Sequence, residues 1–516
     1  MNLSMGSATR RQFVAAAASS ITASRARGGD SDPTLMNAMT AVQKAIPLAS
    51  ADPERPTYHF HPPANWNNDP NGTLFYKGWH HLFYQLNPFG TNLVNQHWGH
   101  ARSKDLVNWE HLPIAIWPSS EKGERAVFSG GAIIADDGLP RLIYTSIGHT
   151  RPEQWMVVPE DDDLISWKKF AGNPVLTSAA HGSLAVNQWR DPFLFREDGQ
   201  VYMVCGGNAN TGRGGTGQVQ LYRAVKEDLS AWKHLGAVFQ ALERETYNIE
   251  CPNLFKLDDK WVLIISPHRS CEYFVGNLDL QKVKFTPETH GILDPGEAYA
   301  SDISLDDQSR TILWLWGRTN TPPGRGWNGV MTMPRILSIG ADGFLRQNAP
   351  PEFQKLRGEA KIFPGAQLVD SPLPLEGIPG DAAEIEAEFS ADGVATFGFE
   401  VGRSAAGKPA LTVAIHQAVL TVGNWRAYVG NAERYKLRIF LDRRCLEVDV
   451  NNGSVAVYSS LDARTEEQGL AVFGRTADFG FGNYTALNRP APTVRLESLT
   501  AWPLKPASFT LDNFHV

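Results

Sequence analysis

"SKDLVNWE" (103–110), "DDDLISWKK" (161–169) and "KEDLSAWKH" (226–234) share an Asp-Leu-x-x-Trp core that begins at Asp105, Asp163 and Asp228. A degenerate copy, "NLDLQKVKF" (277–285), contains Asp279. One such phrase is only a turn followed by an apolar anchor. Its return every 58 and then 65 residues means that one supersecondary unit is repeated.

A second set of phrases keeps the same beat: "NDPNGTLFYKGWHHLFY" (68–84), "FSGGAIIADDGLPRLIY" (128–144), "RDPFLFREDGQVYMV" (190–204) and "ECPNLFKLDDKWVLI" (250–264). Each reads as a strand, a polar turn and an alternating apolar strand. "YASDISLDDQSRTILWLWG" (299–317) is a fifth, less regular copy. Units of about 60 residues rarely bury enough surface to stand alone, whereas four-stranded sheets repeated radially share a core. The fold class expected is all-β: a five-bladed β-propeller over 55–350, a linker over 351–374 and a β-sandwich over 375–516. The sandwich rests on half-buried strand patterns such as "YKLRIFLDRRCLEVDVNNGSVAVYSS", with a hairpin turn at Asn452–Gly453.

Composition agrees with a turn-rich globular chain. The 516 residues include 46 glycines and 33 prolines, with 42% hydrophobic and 20% charged content. A formal charge of -7, without a Lys/Arg stripe, argues against a nucleic-acid partner. Cys205, Cys251, Cys271 and Cys445 show neither CxxC nor zinc spacing. Free thiols are the expectation, with one bridge left open. At the N-terminus, Arg10 and Arg11 precede a short apolar run from Phe13 to Ala23. Residues 1–30 read as a twin-arginine export signal, 31–54 as a lead-in with one short helix, and no stretch as a membrane span. Export to the periplasm or beyond the cell is expected.

Equivalent first strands of propeller blades line one channel, so Asp69, Asp191 and Glu250, from blades 1, 3 and 4, are expected to face one pocket. Like charges gathered there raise at least one pKa. One ionised carboxylate beside one protonated carboxylic acid is what glycoside hydrolysis requires. No calcium-loop spacing accompanies these acids. His97 and His100 lack a third ligand and read as hydrogen-bonded structure, so no metal or organic cofactor is expected.

At this point the chain resembles glycoside hydrolase family 32, the β-fructosidases. "WNNDPNG" (66–72), "WRDP" (189–192) and "ECPNLF" (250–255) resemble its three carboxylate boxes. "FSGG" (128–131), "HWGHARSKDLVNWEHLPIAI" (97–116), "GRGWNGVMTMPRIL" (324–337) and "LRIFLDRRCLEVDVNNG" (437–453) resemble other family stretches. The resemblance implies Asp69 as nucleophile, Glu250 as acid/base with a raised pKa, and Asp191 as transition-state stabiliser held ionised by Arg190. It implies fructosyl contacts from Asn68, Gln85, Trp98, Phe128, Ser129 and Arg190. The implied activity is release of terminal β-fructosyl units from sucrose or fructans by a retaining mechanism. A fructosyltransferase and an inactive sugar-binding propeller are the rivals. Asn67, Gly131 and Leu93 depart from the family pattern; the last stands where many members carry a Trp, which leaves the choice of substrate open.

Overall fold

The structure, a computed structural model, describes residues 35–209, 215–241, 246–368, 371–391, 395–462, 469–475 and 493–515. The twin-arginine reading of residues 1–30 lies outside them. Among the described residues no helix is long and apolar enough to cross a membrane.

Five antiparallel sheets follow one another from Asn65 to Asn348, and their innermost strands are Asn65–Tyr76, Ala126–Ile134, Val186–Glu197, Glu250–Leu257 and Ala298–Leu305. Each inner strand neighbours the next, and the fifth returns to the first, so the sheets close into a five-bladed propeller. Closure is reinforced where Trp327–Asn328 pairs in parallel with Asn65–Trp66. The Thr73 N–H also donates to Asp302 Oδ2 across blades 1 and 5 at 2.8 Å.

The Asp-Leu-x-x-Trp phrase is the turn between the third and fourth strands of blades 1 to 3. Leu106, Leu164 and Leu229 take φ values of 60°, 58° and 62°, a conformation that side-chain-bearing residues rarely adopt. Each is anchored by its Trp, whose indole N–H donates to the Leu carbonyl at 3.2, 3.0 and 2.9 Å. An Asp carboxylate accepts the turn's free N–H groups: Asp105 from Asn108 at 2.8 Å and Asp228 from Ser230 at 3.0 Å. In blade 2 that acceptor is Asp161, two residues earlier than the repeat suggests. Both Leu and Trp are buried, so the turn is also a packing anchor.

Helix Leu35–Ser50 is the short helix expected in the lead-in. It buries Ala38, Met39, Val42 and Ala49 against the propeller, an i, i+1, i+4, i+11 stripe on one helix face. Asp52, just beyond it, accepts from the Trp327 indole at 2.7 Å and pairs with Arg325 at 3.0 Å.

Two six-to-seven-stranded sheets form the C-terminal β-sandwich, with Phe389, Phe397, Phe399, Ile385 and Ile439 in its core. The stretch 351–374 is not a plain linker. After a 3-10 turn at Pro351–Leu356, strands Lys361–Phe363 and Ala366–Leu368 pair with Val494–Pro503, and Leu373–Pro374 pairs with Gly469–Arg475. Their partners are 97 to 140 residues away, so no local pattern marks them. The hairpin at Asn452–Gly453 joins Val450 to its partner Val455, with Asn451, Asn452 and Gly453 all at positive φ. Its Gly453 carbonyl accepts from the Gln347 N–H of blade 5 at 3.0 Å, and a Cβ at Gly453 would fall 2.3 Å from the Gln347 carbonyl oxygen.

A buried charge network joins sandwich and propeller. Asp442 accepts the Thr57, Tyr58 and His59 N–H groups at 2.6–2.8 Å. The His59 ring bridges Asp442 at 3.0 Å and Glu447 at 3.2 Å. Arg335 pairs with Asp294 and Glu447.

Candidate active site

Every inner strand carries a β-bulge at the same height. The register slips between Asn67 and Pro70, Val127 and Gly130, Arg190 and Phe193, Glu250 and Asn253, and Tyr299 and Ser301. A bulge leaves residues unpaired and re-aims a side chain, which explains the recurring proline: Pro192 and Pro252 sit where no ladder N–H is needed. In blade 2 Gly130 takes the place of proline, because a Cβ there would fall 2.1 Å from the Ile143 carbonyl oxygen.

Aligned on that bulge, the residues preceding Pro, Gly or Ser are Asp69, Ser129, Asp191, Cys251 and Ala300. Asp191, Cys251 and Ala300 all have positive φ, at 61°, 45° and 50°. Glu250 is therefore not equivalent to the two aspartates, as the sequence phrases suggest. It lies one residue earlier, in a second tier with Asn68, Phe128, Arg190 and Tyr299. The Glu250 side chain is 20% exposed and that of Asp191 is 5% exposed, so the glutamate is the more open to solvent.

The inner tier converges. Cys251 Sγ lies 3.7 Å from Asp69 Oδ2 and 3.7 Å from Asp191 Oδ2. Asp191 also accepts the Cys251 N–H at 3.0 Å, and its own N–H donates to Thr145 Oγ1 at 3.0 Å. Asp69 is held by a ring of neutral donors. Ser129 Oγ donates to Oδ2 at 2.5 Å and Asn68 Nδ2 to Oδ1 at 3.1 Å. Gln85 closes the ring, accepting from Asn68 at 2.7 Å and donating to Ser129 at 2.7 Å. The Trp66 indole donates to Asn68 Oδ1 at 2.8 Å and so fixes which way that amide faces. Asn71 donates to the Asp69 backbone carbonyl, not to its carboxylate.

The outer tier is built around Glu250. Arg190 Nη2 donates to Oε1 at 2.5 Å, the Tyr299 hydroxyl to Oε2 at 2.6 Å, and His268 Nδ1 lies 3.3 Å from Oε2. Arg190 was expected to hold Asp191; its Nε is 3.7 Å from that carboxylate, and the tighter pair is with Glu250.

Burial sets the protonation order. It pushes the Asp191 carboxyl up to about 7 against the pull of Arg190, with Glu250 and Asp69 adding to the rise. Burial also raises Asp69, opposed by its bonds to Ser129 and Asn68. For Glu250 burial is outweighed by Arg190, His268 and Tyr299, which hold it below the usual carboxylate range. This reverses the raised pKa expected for Glu250: the aspartates hold a proton more tightly than the glutamate does. The Cys251 thiol is pushed well up by burial and the three acids, so it is a neutral S–H.

Trp98 does not reach the pocket as expected. It has no exposed surface, because its strand His97–Ser103 is buried throughout, and its indole donates to the Phe128 carbonyl at 3.0 Å. It supports the Phe128–Ser129 bulge from beneath. Phe128 is half-buried above it. His97 bonds the Asn95 carbonyl at 2.6 Å and His100 bonds His81 at 3.0 Å, both inside blade 1. All four cysteines are free and buried. Sequence reasoning missed Tyr299, His268, Trp66 and Thr145. Tyr299 had a signal, since it opens the fifth repeat phrase.

Residues 59–349 match the glycosyl hydrolases family 32 N-terminal domain, and 352–502 match the family's C-terminal domain. The chain is similar to a levanase of Bacillus subtilis, at 30% identity over 87% of this chain and 70% of the relative. It is also similar to a sucrose-6-phosphate hydrolase of the same organism, at 30% over 80% and 90%. Among solved structures, fructan 1-exohydrolase IIa of Cichorium intybus superposes with a TM-score of 0.75 at 25% identity, covering 89% of this chain and 99% of that one. A Bombyx mori β-fructofuranosidase in complex with sucrose gives 0.74 at 26%, covering 92% and 99%. With both family domains matched in order, this chain belongs to glycosyl hydrolase family 32 and is a glycoside hydrolase.

Proposed function

We propose that the enzyme releases terminal β-D-fructosyl units from sucrose or fructans, with retention, through a covalent fructosyl-enzyme intermediate. One observation carries the reading: the bulges of blades 1, 3 and 4 bring Asp69 and Asp191 to a single point at Cys251 Sγ, with Glu250 one residue away on the more exposed side. An Asp69 carboxylate oxygen attacks the anomeric carbon while the bond from that carbon to the leaving oxygen breaks. Glu250 gives its proton to the leaving oxygen. Water then attacks the same carbon, the bond to Asp69 breaks, and Glu250 takes the water proton. Asp191 accepts sugar hydroxyls and offsets the positive charge that develops on the ring.

In the free site the proton is held more tightly by Asp191 and Asp69, both raised, than by Glu250, which is lowered. Fructosyl hydroxyls donating to Asp69 and Asp191 take its place there. A leaving group that parts Arg190 from Glu250 and excludes water raises the Glu250 pKa, so the proton moves to the glutamate.

Incubation with sucrose, inulin and levan tests the proposal. Free fructose is expected from wild type, with loss of at least about 10³-fold in Asp69→Asn. Release of no fructose from any of them would leave only a sugar-binding propeller, and dominant oligosaccharide products would reassign the enzyme to transfer. Export through Arg10 and Arg11 belongs to the same proposal. Lysine at both positions is expected to keep the protein in the cytoplasm, and unchanged export would remove the signal reading.

A further inference from the structure

Asp191 depends on a neighbouring blade for its place in the site. It stands in the bulge between Arg190, which pairs with Gly206, and Phe193, which pairs with Val204, so its N–H has no ladder partner. Its φ of 61° is one that side-chain-bearing residues rarely adopt and that persists only where neighbours hold it. The residue is buried, so that N–H must find an acceptor inside the protein. A return to ordinary extended backbone would re-aim the carboxylate.

The acceptor comes from blade 2, and not from its inner strand. That strand carries Gly130 and Gly131 at this height, and a Cβ on Gly131 would fall 3.1 Å from the Pro192 carbonyl oxygen. With no side chain to offer there, blade 2 uses Thr145 on its second strand, Pro140–Ile147. Thr145 Oγ1 accepts the Asp191 N–H at 3.0 Å and donates its own proton to Gln154 Oε1 at 2.8 Å, on the adjoining strand Glu153–Pro159. A hydroxyl has one proton. Giving it to Gln154 leaves only lone pairs toward Asp191, so Gln154 fixes Thr145 as an acceptor. The two are cross-strand partners, and the Gln154 backbone is pinned in turn by Leu176 at 2.9 Å and Val175 at 3.0 Å.

The chain of bonds runs onward. Asp191 Oδ2 accepts the Cys251 N–H of blade 4 at 3.0 Å, next to Glu250 in sequence. Three hydrogen bonds with one direction, Cys251 to Asp191 to Thr145 to Gln154, thus tie blades 4, 3 and 2 at the height of the carboxylates. Thr145 and Gln154 have no exposed surface, and Gln154 Nε2 finds no partner among the described residues. An idle buried donor costs stability. A residue serving packing alone would be apolar there, so what this amide supplies is its acceptor.

We propose that Thr145, oriented by Gln154, is a positioning residue for Asp191: its hydroxyl holds the left-handed backbone that keeps the carboxylate aimed at the fructosyl unit. The proposal rests on the assignment of Asp191 as the group that offsets ring charge. The test measures kcat/KM per folded enzyme, below the Tm of each full-length variant, on whichever of sucrose, inulin and levan wild type cleaves. Thr145→Val keeps the volume and removes the acceptor, and a fall of about tenfold or more is expected. Thr145→Ser keeps the hydroxyl without the methyl and is expected to stay within about threefold of wild type. Gln154→Met is expected to lose about threefold alone and nothing further in Thr145→Val, because it acts through that hydroxyl. A packing role gives the reverse order, with Thr145→Val silent and Thr145→Ser impaired, and overturns the proposal. A Thr145→Val loss confined to Tm, or a Gln154→Met loss that multiplies with that of Thr145→Val, also overturns it. Full activity in Asp191→Asn, or no fructose from wild type, is the separate outcome that removes the proposal together with the reading beneath it.

Discussion

Arg190 Nη2 stands 2.5 Å from Glu250 Oε1, from the neighbouring blade, and this contact sets the resting charge of the site. A guanidinium so placed favours the ionised glutamate, yet the proposed acid must carry a proton. The pair has to loosen during the cycle. Arg190 is then both an electrostatic clamp on the free enzyme and a group freed to hold the substrate.

Replacing Arg190 with Ala removes the charge that lowers both Glu250 and Asp191. Both limbs of the pH profile of kcat/KM are expected to move to higher pH, and the maximum to fall by about 10²-fold or more. Initial rates from pH 3 to 9 check this. Limbs that stay in place would show that Arg190 does not set the charge of the cluster. The limbs belong to the coupled acids together, not to single residues.

Glu250→Gln keeps the shape of the acid and removes its proton. The loss is expected to be about 10³-fold with sucrose and much smaller with an aryl fructoside, whose leaving oxygen needs no protonation. Parallel kinetics on the two substrates read the difference directly. Equal losses would contradict the acid role.

Asp191→Asn separates activity from stability. An acid whose folded pKa, about 7, exceeds its unfolded value binds protons more tightly in the fold. Its contribution to stability therefore falls as pH rises from about 4 to about 7 and stays low above that. The asparagine variant is expected to be nearly inactive, with a Tm higher than wild type by several degrees at pH 8 and little changed at pH 4. Thermal unfolding at the two pH values checks the sign.

His59 gives the opposite sign at the domain interface. Burial alone would depress its pKa, but the bonds to Asp442 and Glu447 raise it to about 9. A histidine raised in the fold stabilises fully below about 6.5 and loses that stability as pH rises through about 9. His59→Gln is expected to lower the Tm at pH 6 and to flatten its decline between pH 7 and 10. Scanning calorimetry across that range reads it.

Trp66→Phe deletes the bond that orients the Asn68 amide and trims the ring that packs edge-on against Trp316. A few-fold to about tenfold loss in kcat is expected, with at most about 1.5 kcal/mol lost in stability. A large fall in stability without a change in kcat would make Trp66 a packing residue alone.

The repeated architecture and the three acids were legible in the chain because their signals are local. A turn that needs a left-handed Leu, a carboxylate over free N–H groups and an indole to anchor it writes Asp-Leu-x-x-Trp in blades 1 and 3, and in blade 2 the same phrase with the working carboxylate two residues earlier. A bulge with no ladder N–H admits proline, so Asp-Pro, Asp-Pro and Cys-Pro mark one height in blades 1, 3 and 4. Other features depend on which strands lie side by side, and only the tertiary structure decided them. The register around each bulge shifted Glu250 one residue from Asp69 and Asp191. Neighbouring blades gave Arg190 and Tyr299 to Glu250, and the loop after Lys260–Ser266 in its own blade brought His268 to the same carboxylate. Stacking of blades 1 and 2 put Trp98 beneath Phe128. The order in which the acids hold protons came last, because burial and the summed field of groups far apart in sequence determine it, and neither is a property of any short stretch of chain.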